Sequence, residues 1–169
     1  ELNRNAQRYK FAKWAENNFK NITVIPPSST NFNQVNLEYL STMISAKSID
    51  NKICLFPESI VGTDSHSSMI NALGVLGFKV GNIEVESTIL GSNLTFDLPE
   101  VIGINISGSL VQGVSINDIS LALNNLLKDL DLKNKFIEFY GDALRNISIE
   151  DRVILSKTSK DNNARCAYF

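Results

Sequence analysis

The sequence predicts an α/β protein with partly parallel strands. Three observations carry that reading. Short β-branched or aromatic runs alternate with segments of helical periodicity along the chain. Two helix starts carry a serine followed three residues on by a carboxylate, Ser115 with Asp118 and Ser148 with Asp151. Gly and Pro fall between the periodic segments, at Pro26-Pro27, Pro57, Pro99 and Gly141.

In order, Leu2 to Lys20 lacks Gly and Pro and spaces Phe11, Ala15 and Phe19 four apart, which predicts an amphipathic helix. Ile22 to Ile25 is β-branched and stops at Pro26-Pro27, which neither a helix interior nor a central strand tolerates, so it reads as a strand entering a loop over Pro26 to Asn33. Gln34 to Ser45 is apolar at helical spacing and reads as a helix. Ile53 to Phe56 and Ser59 to Gly62 are short apolar runs, the second ending at Thr63-Asp64-Ser65-His66. Ser67 to Gly77 is apolar and broken by glycines, the composition of a helix lying close to a neighbour, and Glu84 to Leu90 reads as one or two helical turns. After Leu98-Pro99-Glu100 come a strand over Val101 to Ser107, a helix capped at Ser115, a strand over Lys135 to Tyr140 and a helix capped at Ser148. Pro99 marks the best internal boundary, dividing the chain into pieces 1–97 and 98–169.

Composition excludes several function classes. The 169 residues carry net charge −2, 43% hydrophobic and 20% charged residues, enough to build a core without disulfide or metal staples. Two cysteines, Cys54 and Cys166, and one histidine exclude a disulfide scaffold, a self-contained Cys/His zinc site and a four-cysteine [4Fe–4S] site. A sequence pI near 5.4 without a Lys/Arg block leaves no electrostatic footprint for DNA and argues against RNA. No apolar run nears the roughly 18 residues of a membrane span, and no leader-like segment opens the chain, so a cytoplasmic protein is expected. Glu1 inside a helical segment and Phe169 inside an apolar one read as ends cut from something larger.

Asp64-Ser65-His66 is the most informative tripeptide. It follows an apolar strand, at the carboxyl edge where α/β sheets bind ligands. It supplies a carboxylate, a hydroxyl and the one side chain that titrates near neutral pH, a set suited to a small polycarboxylate. The competing reading makes Asp64 or Ser65 a helix cap and His66 a structural residue. Glycines 74, 77 and 81 do not form a dinucleotide fingerprint, and the sequence around Ser65 is no nucleophile elbow. Cys54 and Cys166 lie in apolar runs and read as inert thiols.

Several motifs occur in the order and spacing of aconitase: Ile25-Pro26-Pro27, Val35-Asn36-Leu37-Glu38-Tyr39-Leu40, Val61 to His66 with Met69-Ile70, Leu98 to Gly103, Lys135 to Asp142 and Asp151-Arg152. The chain resembles the aconitase family from end to end, most nearly its cytosolic, bacterial and iron-regulatory branch. The resemblance implies an aconitase-like three-layer α/β/α architecture. It makes 1–97 the C-terminal part of a first α/β domain and 98–169 most of a second. It also implies citrate isomerisation through cis-aconitate on a [4Fe–4S] cluster in the parent protein, with Asp64, Ser65 and His66 matching the substrate-site tripeptide.

The departures are specific. The family's Gly-rich loop ending in His-Gln stands here as Ser28 to Gln34, so the active-site His is Asn33. Its Pro-Glu-Tyr-Gly-Ala-Thr stands as Lys160 to Arg165, which shortens the catalytic Glu to Asp161, and its Gly-Val-Gly-Gly stands as Lys79 to Asn82. The cluster cysteines belong, by resemblance, to segments beyond residue 169, so this chain is expected to hold no cluster and to be inactive alone. The alternative is a decayed or repurposed non-catalytic fragment, a partner-binding or RNA-binding remnant, with inter-domain surfaces that drive self-association. Isopropylmalate and methylcitrate-type specificity stay open.

Overall fold

The computed structural model describes residues 3–24 and 42–169, with Ser65 and His66 described by their backbone. The chain divides into two units, Glu1–Asn36 and Leu37–Phe169.

The first unit holds helix α1 (Ala6–Asn18). Phe11 and Trp14 of the helix and Phe19 just past it are exposed, Phe11 stacking on Trp14 at 5.6 Å and Trp14 meeting Phe19 edge-on at 6.1 Å. The strand expected at Ile22 to Ile25 is not formed over Ile22–Val24, which have no strand partner; the Val24 N–H instead donates to the Glu16 carboxylate at 3.4 Å. Ile25, the loop expected over Pro26 to Asn33, and most of the helix expected over Gln34 to Ser45 lie outside the described residues.

The second unit opens on a hairpin, β1 (Ile44–Ile49) antiparallel to β2 (Lys52–Pro57). Ile44 and Ser45 are therefore strand, and the expected helix does not reach them. The deciding residues are Asp50 and Asn51, both with positive φ (50° and 60°), a two-residue connection whose twist suits paired strands. Helical spacing of apolar residues upstream carries no information about this turn.

Strand β3 (Ser59–Gly62) pairs in parallel with β4 (Leu76–Lys79), Gly62 opposite Lys79. The connection between them is a 3-10 segment, Ser65–Leu73, rather than the longer helix-like stretch expected over Ser67 to Gly77. Gly74 (φ 80°) ends it, and Leu76 and Gly77 are already strand. The close approach signalled by the glycines occurs at Gly77, where a Cβ would lie 2.1 Å from the Ser67 carbonyl oxygen and 2.5 Å from Ile70 Cγ2. Helix α2 (Asn82–Ile89) follows, its Glu84 carboxylate accepting the Gly81 N–H at 2.5 Å.

The remainder is a three-stranded parallel sheet, β5 (Val101–Asn105), β6 (Phe136–Tyr140) and β7 (Cys166–Tyr168), in that order. Its crossovers are α3 (Ile116–Leu127) and α4 (Ile149–Asp161). Both expected caps form. The Asp118 carboxylate accepts the Ser115 N–H and hydroxyl at 2.8 Å each, which holds its carboxyl below the usual carboxylate range, and Ser148 Oγ accepts the Asp151 N–H at 3.2 Å. Helices α3 and α4 pack together, and Leu123, Leu127, Leu132 and Leu155 bury against Ile137 and Phe139 of β6. A second cluster joins Phe78 and Val80 to Phe136 and Cys166. The 3-10 segment packs on α4 and β7, so segments on both sides of Pro99 share one unit. The fold is α/β with mixed pairing, as the alternating pattern predicts.

Candidate functional site

The backbone places the tripeptide at the carboxyl edge of β3. Gly62 is the last strand residue, and its carbonyl accepts the Val80 N–H at 3.0 Å, which fastens this edge to the end of β4. Asp64 follows, exposed, and its carbonyl accepts both the N–H (3.2 Å) and the hydroxyl (2.7 Å) of the buried Ser67. These bonds fix the turn, while Ser65 and His66 open the 3-10 segment. Serine at 67 has a mechanical reason: its hydroxyl satisfies the Asp64 carbonyl in the turn, and its Cβ lies where only glycine fits at 62, 2.9 Å from the position a Gly62 Cβ would take.

The neighbouring strand leads into a cleft of about 860 Å³. Its walls are three separate segments: the end of β4 with the start of α2 (Lys79, Gly81, Glu84), the loop entering β6 (Leu130 to Asn134), and the turn from α4 into β7 (Lys160, Asn162 to Arg165). Because Lys79 pairs with Gly62 in register, the cleft and Asp64 lie toward the same end of the β3–β4 pair. Asp161, the last residue of α4, is exposed and does not line the cleft, although its neighbours on both sides do. The structure thus brings together Lys79 to Gly81 and Asn162 to Arg165, two segments that the sequence marks as departures.

Charge dominates the cleft. Lys79, Lys133, Lys160 and Arg165 face two carboxylates, Glu84 and Asp131. Burial, and then the nearby Lys79 ammonium, lowers the Lys160 pKa from its ordinary value, with Asp161 opposing. The Arg165 guanidinium stacks over the Phe96 ring at 4.5 Å, and one of its Nη groups donates to Asn134 Oδ1 at 3.5 Å. Reading the tripeptide alone misses these cations. The available signal was the presence of Lys79, Lys160 and Arg165 where the resembled motifs carry Gly, Pro and Thr.

The thiols do not suit a cluster. Cys166 is 1% exposed, and burial pushes its pKa up to about 12, so the thiolate form a cluster needs is suppressed. Cys54 lies exposed on β2. Among the described residues no group of three or more His, Cys, Asp or Glu side chains converges as metal ligands, and no helix is long and apolar enough to cross a membrane.

Comparison with known proteins gives a consistent answer. The model of the aconitase family (aconitate hydratase) matches residues 1–169. The chain is 41% identical over 169 residues to aconitate hydratase A of Pseudomonas aeruginosa, 42% to that of Rickettsia conorii and 40% to that of Legionella pneumophila. In each case all of this chain is covered but only 19% of the relative. The chain therefore spans about a fifth of the length of the curated relatives it matches.

Proposed function

Because the chain belongs to the aconitase family, we propose that it carries the substrate-edge segment of an aconitate hydratase-like protein and has no hydratase activity by itself. The observation that carries this reading is the position of Asp64-Ser65-His66, directly beyond the carboxyl end of a parallel strand, with the turn fixed by Ser67. There Asp64 would accept a hydrogen bond from a substrate hydroxyl, Ser65 would bind a substrate carboxylate, and His66 would hold or release a proton near neutral pH. The substrate class is a tricarboxylate and the setting cytoplasmic. Residues 1–97 would supply the later part of a first family domain and 98–169 most of a second.

The cofactor of the family reaction is a [4Fe–4S] cluster, which supplies Lewis-acid chemistry when bound. This chain's donors do not fit it: one thiol is buried and protonated and the other sits on an exposed hairpin. No step is assigned to these residues through that group. Asp161, exposed at the end of α4, would be the shortened counterpart of a catalytic glutamate.

A second reading is supported by particular residues. Asn33 cannot exchange protons as a histidine does, and Lys160 and Arg165 place cations where the resembled motif has none. A non-catalytic, repurposed segment fits those changes. Anaerobic treatment with iron and sulfide, followed by an assay of cis-aconitate consumption, separates the readings. The 169-residue chain is expected to show no turnover; turnover from this chain alone overturns the proposal of inactivity. Grafted in place of the matching segment of the Pseudomonas aeruginosa relative, it is expected to regain measurable turnover with Asn33→His and lose it again with Asp64→Asn. A graft indifferent to Asp64→Asn removes the substrate-edge role.

A further inference from the structure

We propose that the apolar face of the β1–β2 hairpin is a self-association surface, on which a second copy of this chain docks face to face about a two-fold axis running along the strands. The proposal is independent of the role proposed for Asp64-Ser65-His66.

The ground is a segregation of residues across the hairpin. Directly paired residues share a face of the sheet, as do alternate residues along each strand. The register therefore places Ile44, Ala46, Ser48, Ile53, Leu55 and Pro57 on one face and both lysines, Lys47 and Lys52, on the other. The first face carries no charge, and its Ile44, Ile53 and Leu55 are 65%, 79% and 71% exposed. Among the described residues β1 and β2 pack on each other and on no other element to a comparable extent. The base of the hairpin is tied to β4 through Glu58, whose N–H donates to the Met43 carbonyl (3.3 Å) and whose carbonyl accepts the Leu76 N–H (3.4 Å). A two-stranded hairpin left bare is marginal in water, so apolar surface laid on this face stabilises it.

Shape, charge and area each commit the occupant to a second copy. The register sets a large residue beside a small one, Leu55 beside Ala46 and Ile53 beside Ser48, with the large residues on β2 and the small ones on β1. A two-fold axis along the strands lays β2 of one copy over β1 of the other, so each Leu55 and Ile53 fills the low side of the opposing face. Two-fold symmetry also sets the face against itself, which an uncharged face permits. Lys47 and Lys52 stay in water on the outside, where they oppose pairing of strand edge with strand edge. A net charge of −2 adds little long-range repulsion between copies. A patch of this kind contributes on the order of 500 Å², so two copies bury about 1,000 Å² in all, the lower bound of a specific interface and the range of reversible association. The expected dissociation constant is on the order of 10–100 μM, so at low micromolar concentration the chain is a monomer with this face bare.

The test is sedimentation equilibrium of the 169-residue chain between about 2 and 300 μM, with reductant present so that the exposed Cys54 forms no disulfide. The average mass is expected to rise from one chain toward two and to stop there. Leu55→Lys is expected to weaken association by at least about tenfold, and Lys47→Gln, on the opposite face, to leave it within about twofold. Ala46→Leu separates docking in register from general stickiness. It adds apolar surface but fills the low side of the face, so it is expected to weaken association by at least about fivefold. Thermal melts establish that each variant folds; where Leu55→Lys loses its transition, Ile53→Glu serves the same purpose. A monomer at every concentration, growth beyond two copies, association that survives Leu55→Lys or its folded substitute, an equal loss in Lys47→Gln, or stronger association in Ala46→Leu overturns the proposal.

Discussion

The β1–β2 hairpin and the β5–α3–β6–α4–β7 unit are built from similarly apolar strands and end in opposite states. In the hairpin Ile53 is 79% exposed and Leu55 71%, whereas in β6 Ile137 is 0% and Phe139 2% exposed. Composition does not make this difference. A two-residue turn returns the hairpin chain at once and brings no other element with it. A parallel pair needs a long crossover, and here each crossover carries a helix that packs on the sheet, α3 through an apolar stripe and α4 through Leu155 with the buried Ser156 and Ser159. Parallel connectivity therefore supplies its own cover, while a hairpin must borrow one.

The two cysteines give the sharpest test of that contrast, because one belongs to each region. Cys54 is expected to react immediately with a thiol reagent in the native chain. Cys166 is expected to react only through unfolding, slower by a factor of at least about a thousand. Measured in parallel with and without denaturant, equal native rates would mean that Cys166 is not buried in the native chain. The same burial has a pH signature with a definite sign. The unfolded thiol loses its proton near the ordinary value of 9.0, whereas the folded one keeps it to about 12. This group's contribution to stability is then complete below 9.0 and declines as pH rises across that window.

Truncation is the next largest effect. Phe139→Ala removes a ring packed in the central cluster and stacked on Phe169 at 4.6 Å, and should cost about 3–5 kcal/mol in urea unfolding. A loss under about 1 kcal/mol would show that the sheet core is loosely packed. At the small end, Ile53→Ala on the hairpin should change stability by no more than about 0.5 kcal/mol. A hairpin variant as costly as the core variant would erase the comparison and mean that something covers these residues in solution.

Legibility followed the range of the interactions. Helices α3 and α4 could be read because their caps are closed by residues three apart, and α2 because its periodicity is local. Strand β5 alternates cleanly, β6 is a short apolar run, and both are bounded by turns. Strand β7 has only three residues, too few for a period, and exists because β6 offers it an edge. The hairpin turn was missed because Asp50-Asn51 is a weaker signal than Asn-Gly, yet both residues tolerate positive φ when strands demand it. At the site, the tripeptide was legible as one contiguous motif. The cleft was not, since its walls come from residues 79–84, 130–134 and 160–165.

By itself, then, the sequence determined the α/β class, the two serine caps, the family and the scarcity of cluster-competent thiols, all of which rest on short-range chemistry or on residue identity. Tertiary structure alone decided that Cys166 is a buried, protonated thiol, that Gly77 must have no side chain, and that Lys79, Lys160 and Arg165 line one cleft. The physical reason is that burial and electrostatic coupling depend on distances through space, which only the packed chain sets.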